Sequence, residues 1–266
     1  MQLLKNVTDN LHRTKRLLFL CADRSTKIKL ILRSFLSLFK GRLPYLTSSP
    51  VKLQLCWKGT KFFIYIRDDA DLVAIDDVFL KEIYRNDIKA SKPIILDFGS
   101  HIGISVIYFK LKFTQSRIIC FEPNPGNYQL LLLNIKQLTN AQAYNWAITD
   151  RSGNNKFYLN QDNNLSSSLL KREAGQRSIW VRGKTITDIL KNLKLKTVDI
   201  IKFDIEGEEY RAFLTIKDMK VARNYIGEYH PDLTGKSLEI FRDIFKNFHF
   251  NAIALRGGRS LISASC

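Results

Sequence analysis

Alternating apolar and polar positions begin near residue 50. The alternation over residues 51–55, the turn residue Gly59 and the apolar run 62–66 together predict a β-hairpin. Residues 78–85 have the spacing of a helix, and we expect this piece to close before Pro93, because the residue preceding a proline disfavours the helical conformation.

After Pro93, short apolar runs alternate with stretches of helical periodicity. The runs predict buried strands, and apolar residues at every third or fourth position predict helices. The predicted strands are 94–96, 117–121, 143–148, 198–203, 225–229, 249–255 and 260–265. The predicted helices are 102–113, 128–135, 208–216 and 238–245, and the polar residues 150–178 are predicted to form a surface excursion. This order predicts a three-layer α/β sandwich with a mostly parallel sheet that closes in an antiparallel C-terminal hairpin.

The first 49 residues differ from the rest in charge. They hold ten Lys and Arg against two acidic residues, in a chain of 266 residues with a net charge of +17. Helical spacing also relates six apolar residues, namely Ile28, Ile31, Leu32, Phe35, Leu36 and Phe39. The helix could lie on an anionic membrane surface, but we favour packing on the main domain with Lys and Arg in water.

Composition narrows the function classes. With 45% hydrophobic and 25% charged residues, the chain is typical of a folded protein, and no run approaches the roughly 18 apolar residues of a membrane span. The four cysteines lack C-x-x-C spacing and no H-E-x-x-H occurs, so we predict no metal site. The positive charge attracts phosphate without specificity, and no nucleic-acid-binding motif accompanies it. We expect a cytoplasmic protein, with peripheral membrane contact through residues 1–49 as the alternative.

The first motif with chemical meaning follows the strand 94–96. In Asp97-Phe98-Gly99-Ser100-His101-Ile102-Gly103, Gly99 permits a tight turn and Gly103 permits close packing of the next helix. The amides of this loop would then face a ligand. A carboxylate at Asp97 suits an ammonium group and disfavours a pyrophosphate, so a dinucleotide is not expected. The alternative is a structural turn in which Ser100 caps the helix.

The second motif places Glu122 at the end of the next strand, 25 residues after Asp97. In other nucleotide-binding sheets, an acidic residue about 20 residues after the glycine motif accepts the ribose hydroxyls. Asp97 and Glu122 together predict an adenosyl ligand that carries an amino acid, and S-adenosylmethionine fits this description. The alternative is a Glu122 stabilised by a helix N-terminus.

The third motif lies after the strand 198–203. Asp204 and Glu206 are two residues apart, which places them on one side of an extended chain. Either could take a proton from a hydroxyl group, and together they could hold a divalent cation, which we consider possible without predicting it. His230 follows the strand 225–229 and is a candidate general base, because the pKa of histidine lies near neutrality. The alternatives are a helix-capping acidic pair and a structural histidine.

These segments resemble the FkbM family of S-adenosylmethionine-dependent methyltransferases. The resemblance covers residues 50–250 and is carried by ILDFGSHIG (95–103), FEPNP (121–125), WAITDRSG (146–153), IIKFDIEGEEY (200–210) and IGEYH (226–230). It implies a class I, Rossmann-like fold with a seven-stranded sheet. His101 departs from the small or amide residue common in the family, and residues 69–71 depart from its Thr-Ser-Asp-like element.

The resemblance also implies roles for single residues. Those expected at the cofactor are Asp97, Gly99, Ser100, Gly103, Glu122, Asn124, Asn145, Trp146, Ala147 and Asp204. Those expected at the acceptor are Asp204, Glu206, Glu228 and His230.

The expected reaction is in-line methylation of a hydroxyl oxygen on a sugar, a glycan or a secondary metabolite. His230, or Asp204 with Glu206, would remove the proton, and S-adenosylhomocysteine would be the product. We expect residues 1–49 to form a basic, partly helical extension, 50–92 an acceptor-side segment and 93–266 the cofactor-binding domain. A nucleic-acid methyltransferase and a non-catalytic binding protein on the same fold are the alternatives.

Overall fold

The computed structural model describes residues 2–37, 49–160, 167–172 and 175–266, with side chains from residue 7 onward except that of Arg256. The chain forms two compact units, Met1–Arg85 and Asn86–Cys266. The N-terminal helices and the hairpin lie in the first unit.

The first unit contains helices α1 and α2, the hairpin and a third helix. Its elements are α1 (Gln2–Leu17), a 3₁₀ turn (Leu18–Leu20), α2 (Arg24–Ser37), β1 (Val51–Trp57), β2 (Thr60–Ile66), α3 (Asp69–Ile75) and a π-helical turn (Asp76–Leu80). The predicted hairpin is confirmed. The helix predicted at 78–85 is displaced, because Asp68 begins α3 earlier by accepting the Asp71 amide while the Asp71 carboxylate accepts the Asp68 amide.

The apolar face of α2 is exposed. Ile28, Ile31, Leu32 and Phe35 are each at least half exposed, whereas Leu30, Arg33 and Ser34 are buried. The expectation that this apolar face packs on protein is therefore wrong for these four residues. Phe39 of the same pattern lies outside the described residues.

The second unit is built on a seven-stranded sheet. Its strands run in the order β11-β12-β10-β9-β3-β4-β5, and of these seven β12 alone runs antiparallel to the other six. Their bounds are β3 (Ile94–Phe98), β4 (Arg117–Phe121), β5 (Ala141–Tyr144), β9 (Val198–Phe203), β10 (Ala222–Tyr229), β11 (His249–Ala254) and β12 (Ser260–Ser265). The predicted mostly parallel sheet with an antiparallel C-terminal hairpin is confirmed.

A second, three-stranded sheet occupies part of the region predicted as a surface excursion. It contains β6 (Trp146–Ile148), β7 (Gly153–Tyr158) and β8 (Ser178–Lys184) in the order β6-β8-β7. The single strand predicted at 143–148 is thus two strands in different sheets. Asn145 separates them, since its side-chain amide donates to the backbone oxygens of Glu122 and Pro123 at 2.7 and 3.0 Å.

Helices cover the main sheet. They are α4 (Ile104–Lys112), α5 (Pro125–Ile135), α6 (Ile186–Asn192), α7 (Glu209–Phe213), α8 (Pro231–Thr234) and α9 (Leu238–Asp243). On β3, Leu96 and Phe98 join the core that contains Phe213 and Phe241, whereas Asp97 contacts Ser105 of α4. Successive strand residues face opposite sides of a sheet, so helices lie on both faces. Within the described residues, no helix is long and apolar enough to cross a membrane.

Candidate active site

The site forms where β3 and β9 lie side by side at the middle of the sheet. The chain runs from β3 outward to β5 and then returns to β9 on the other side of β3, which makes this the switch point where such sheets bind ligands. Gly99 has φ +75°, and a Cβ there would lie 1.8 Å from the backbone oxygen of Asp204. The glycine loop after β3 and the loop after β9 are therefore in close contact.

Two polar side chains of the glycine loop form hydrogen bonds or ion pairs with other residues of the protein. The Ser100 hydroxyl donates to the Asp97 backbone oxygen at 2.8 Å and accepts the Phe121 amide at 3.2 Å. The Asp97 carboxylate is fully buried, 3.1 Å from Lys202 Nζ, and accepts the Ser105 hydroxyl at 2.5 Å. Lys202 also donates to the Gly99 oxygen at 2.7 Å, so these groups fix the loop to β9.

Glu122 connects the glycine loop to the loop after β4. One carboxylate oxygen accepts the His101 amide at 2.9 Å, and the other accepts the Asn124 amide at 2.9 Å and the Asn127 side chain at 3.3 Å. Burial raises the pKa of Glu122 to about 7, although these hydrogen bonds oppose the rise. The three donors fix the plane of a carboxylate that sits where a ribose-binding acid was predicted.

The other residues predicted at the cofactor have mixed surroundings. Asn124 caps α5, since its side chain accepts the amides of Gly126 and Asn127. Trp146 is partly exposed and stacks on Tyr144 at 4.4 Å between ring centroids. Ala147 is buried in a small apolar cluster of the three-stranded sheet. Of these three residues, Trp146 alone presents a partly exposed aromatic ring.

The loop after β9 is not extended. Strand β9 ends at Phe203, and Glu206 has φ +54°, a left-handed conformation that costs a non-glycine residue about 1–2 kcal/mol. The assumption of an extended chain, from which Asp204 and Glu206 were placed on one side, is therefore wrong. The loop nevertheless brings both carboxylates to His230: Glu206 Oε2 is 3.9 Å from His230 Nε2, and an Asp204 oxygen lies within 4.8 Å of a ring nitrogen.

His230 is held by a residue that the sequence did not single out. Its Nδ1 lies 2.9 Å from Oε1 of Glu209, and both side chains are buried. Glu209 also accepts the backbone amides of Ile205 and Gly207. The sequence does place Glu209 shortly after Asp204 and Glu206, which is the signal that could have found it. Only the fold shows that its side chain is buried against His230.

The electrostatics of His230 favour its cationic form. Burial lowers the pKa, but the hydrogen bond and charge of Glu209, with the charges of Asp204 and Glu206, outweigh it and raise the pKa to about 9. For Glu228, burial and the charge of Asp204 raise the pKa to about 7 against the opposing charge of Arg259. In the ligand-free protein at neutral pH, the imidazole is therefore a proton donor rather than a base.

Two arginines balance part of the negative charge. Arg172 Nη2 lies 2.7 Å from Glu206 Oε2, and Arg259 Nη1 lies 3.0 Å from Glu228 Oε2. Sequence reasoning missed both, because they come from the polar excursion and from the turn between β11 and β12. The Asp204 carboxylate makes no hydrogen bond or ion pair with the part of the chain that the structure describes.

Comparison with known families decides the class of this site. The Methyltransferase FkbM domain matches residues 97–251, which is more than half of the chain and includes the loops after β3, β4 and β9 as well as His230. The chain belongs to the FkbM methyltransferase family. It is therefore a methyltransferase, and its seven-stranded sheet with one reversed strand is the class I methyltransferase arrangement that the resemblance implied.

Two other methyltransferases are similar to this chain in sequence. Methyltransferase sdnD of Sordaria araneosa is 23% identical over 186 residues, which cover 57% of this chain and 72% of that protein. Methyltransferase 1 of Beauveria bassiana is 26% identical over 163 residues, covering 53% of this chain and 66% of that protein. Among solved structures, the Methyltransferase FkbM of Methylobacillus flagellatus KT is 13% identical with a TM-score of 0.47, covering 98% of this chain and 60% of that one. The chain thus spans less than two thirds of the second and third of these proteins.

Proposed function

We propose that this FkbM protein uses S-adenosylmethionine to methylate a hydroxyl oxygen on a sugar, a glycan or a secondary metabolite. The observation that carries the proposal is the contact between the glycine loop and the Asp204 loop, which joins a nucleoside-type site to a carboxylate cluster. A methyl donor and an acceptor hydroxyl have to meet at such a junction, since transfer needs the reacting atoms about 3–3.5 Å apart.

The residues present fit the cofactor, with one change from the sequence-based assignment. Glu122 offers a fixed, buried carboxylate of the kind that accepts two ribose hydroxyls. Asp97 is engaged with Lys202 and Ser105, so we assign the ammonium group of the methionine moiety to Asp204, whose carboxylate has no partner among the described residues. S-Adenosylmethionine supplies a methyl group on a positively charged sulfur, which requires no activation by the protein.

The protein's task is then to take the acceptor proton. Of the two alternatives from the sequence, we favour the carboxylates over His230, because His230 already carries a proton at neutral pH. Glu206 is then the base, since Asp204 holds the ammonium group of the cofactor. His230 positions these groups, and Arg172 orients Glu206. A well-placed base contributes about 10²–10⁴-fold to the rate.

The cluster also indicates the class of acceptor. Carboxylates accept hydrogen bonds from hydroxyl groups and repel phosphates. Asp204, Glu206 and Glu228 lie together at the site, with Glu206 and Glu228 each facing one arginine. A neutral polyhydroxylated acceptor therefore fits this site better than a nucleic acid, despite the net charge of +17.

Calorimetric titration with S-adenosylhomocysteine tests the cofactor. We expect saturable binding by the wild type and its loss in Glu122→Ala. Transfer of labelled methyl groups to a panel of hydroxylated glycans and metabolites then tests the reaction. Glu206→Gln should lower turnover about 10²–10⁴-fold with little change in cofactor affinity. The exposed carboxylate of Asp232 supplies the control, Asp232→Asn. A folded wild type that binds no S-adenosylhomocysteine would contradict the proposal.

A further inference from the structure

We propose that Asp204, Glu228 and His230 form a divalent-cation site in this protein. Their ligand atoms, one carboxylate oxygen from each acid and one imidazole nitrogen, all lie within 4.8 Å of one another. The three residues come from the loop after β9 and the end of β10, two adjacent parallel strands. The cation's role in methyl transfer rests on the proposed function, but its binding does not.

The ligand atoms are slightly further apart than those around a bound metal ion. His230 Nε2 lies 4.0 Å from Glu228 Oε2. Ligands on bonds of about 2.0–2.2 Å around one ion are roughly 3–3.5 Å apart, so closure requires contraction by about 1 Å. Side-chain rotation of Asp204 and Glu228, which are both partly exposed, can provide this movement without a change in the sheet.

The second observation is the state of the imidazole. His230 is 1% exposed, and its Nε2 has no hydrogen-bond partner among the described residues, although it is aimed at carboxylates. Its Nδ1 faces the buried carboxylate of Glu209. A carboxylate that holds one ring nitrogen leaves the other to bind a metal, which is the arrangement seen around metal-ligating histidines, and the Nε2 proton passes to water as the ion binds.

The charges and ligand types define the ion. Arg172 and Arg259 neutralise Glu206 and Glu228, while Asp204 adds a negative charge that is paired with no lysine or arginine among the described residues. One nitrogen and two carboxylate oxygens suit a first-row divalent ion such as Mn²⁺ or Zn²⁺ better than Ca²⁺, which prefers oxygen ligands. Three protein ligands leave open positions for a substrate oxygen.

The open position gives the ion a role in the reaction. A bound cation lowers the pKa of a coordinated hydroxyl group. Glu206, which lies beside the three ligands and outside their set, then accepts the hydroxyl proton. The acceptor oxygen forms its bond to the methyl carbon as the carbon–sulfur bond breaks, and S-adenosylhomocysteine leaves with the electron pair. Asp204 binds the cation through one carboxylate oxygen, and its other oxygen remains for the ammonium group of the cofactor.

The test is direct titration of the chelator-treated full chain with Mn²⁺, followed by electron paramagnetic resonance and calorimetry, and then with Zn²⁺. We expect saturation by one ion per chain. Asp204→Asn and His230→Gln should each weaken the affinity by more than about tenfold, and Glu209→Gln by about 10–100-fold. Asp232→Asn is the matched control and should bind as the wild type does. Thermal unfolding and circular dichroism report whether each variant is folded.

Two results would overturn the site: no saturable binding of either ion below about 1 mM, or equal affinity in the wild type and in folded Asp204→Asn and His230→Gln. The readouts separate this site from the proposed function. Metal binding without S-adenosylhomocysteine binding contradicts the methyl-transfer proposal alone. Methyl transfer that persists in chelator, in a protein that binds no ion, contradicts the cation site alone.

A separate observation concerns the exposed face of α2. Ile28, Ile31, Leu32 and Phe35 recur at i, i+3, i+4 and i+7, so they share one side of the helix, and each is at least half exposed. Arg24, Lys27 and Lys29 are exposed on the same helix, which contains no acidic residue. We infer that this face docks on an anionic lipid surface, because exposed apolar residues flanked by Lys and Arg are the pattern of helices that lie in a membrane interface.

Vesicle sedimentation tests this inference. We expect the full chain to pellet with vesicles of phosphatidylserine and phosphatidylcholine, to do so weakly with phosphatidylcholine alone, and to lose binding at high salt. Ile28→Ser with Ile31→Ser should reduce the bound fraction at least about fivefold. Leu132→Ser, at an exposed apolar residue of α5, is the control. Equal binding by the double variant would overturn the inference. A concentration-dependent dimer that this variant abolishes, without vesicle binding, would assign the face to a second copy.

Discussion

Nδ1 of His230 and Oε1 of Glu209 are 2.9 Å apart, and both side chains are buried. Glu209 also accepts the amides of Ile205 and Gly207, so one buried carboxylate ties the loop after β9 to the residue that follows β10. This single side chain therefore links the loop that carries Asp204 and Glu206 to His230.

Replacing Glu209 by Gln therefore tests a positioning role. We expect turnover to fall about 10–100-fold, because the neutral amide holds the imidazole less firmly, while S-adenosylhomocysteine affinity stays within about threefold. Steady-state kinetics should show the loss in kcat. Glu208→Gln is the control, since Glu208 is equally buried next to Glu209 but bonds Thr149 on another side. Unchanged kcat in folded Glu209→Gln would show that the contact has no catalytic role.

Cofactor affinity should depend on pH through Glu122. Burial raises the pKa of its carboxyl group to about 7, and the ribose hydroxyls bind the ionised form. The ionised fraction in the free protein grows as the pH rises through 7, so S-adenosylhomocysteine should bind about tenfold more tightly at pH 8 than at pH 6. Calorimetry at several pH values measures this, and Glu122→Gln should bind weakly with no such dependence. The same slope in Glu122→Gln would assign the pH dependence to another group.

Much of this site could be predicted from sequence, because its residues follow buried strands. The strands ending near Asp97, Glu122, Asp204 and His230 are short apolar runs, and parallel strands bring their carboxyl ends to one edge of the sheet. The order of loops along that edge follows from the βα alternation.

Sequence pattern could not show which polar side chains point inward. Asp97 and Ser100 belong to a ligand-binding motif, yet both are engaged by other residues of the fold. Arg172 and Arg259 reach the cluster from distant, irregular segments whose paths have no periodicity. The apolar side of α2 was expected to be covered, since amphipathic spacing predicts which residues share a face but not what that face contacts.

The buried pair of Asp97 and Lys202 predicts a loss of stability when it is broken. Both side chains are nearly inaccessible, so Lys202→Met leaves a carboxylate without its cation and should cost about 3–5 kcal/mol. Adding Asp97→Asn should recover part of that loss by removing the charge. Urea unfolding followed by circular dichroism measures both.

The exposed ion pair of Arg223 and Asp199 supplies the control for this pair. Arg223 is 70% exposed, so Arg223→Met should change stability by less than about 1 kcal/mol. If Lys202→Met were as mild as Arg223→Met, the buried pair would not hold the loop.

Gly99, in the loop after β3, should tolerate substitution poorly. Its φ of +75° is left-handed, and a Cβ would lie 1.8 Å from the backbone oxygen of Asp204, which cannot rotate away. Gly235 has φ +64° but open space around it, so Gly235→Ala isolates the conformational cost of about 1–2 kcal/mol. Gly99→Ala should lower the free energy of unfolding in urea by more than that amount. It should also abolish S-adenosylhomocysteine binding, because the two loops must separate to accommodate the alanine Cβ. Equal stability of the two variants, with cofactor binding intact in Gly99→Ala, would mean that the loops need not touch for the site to form.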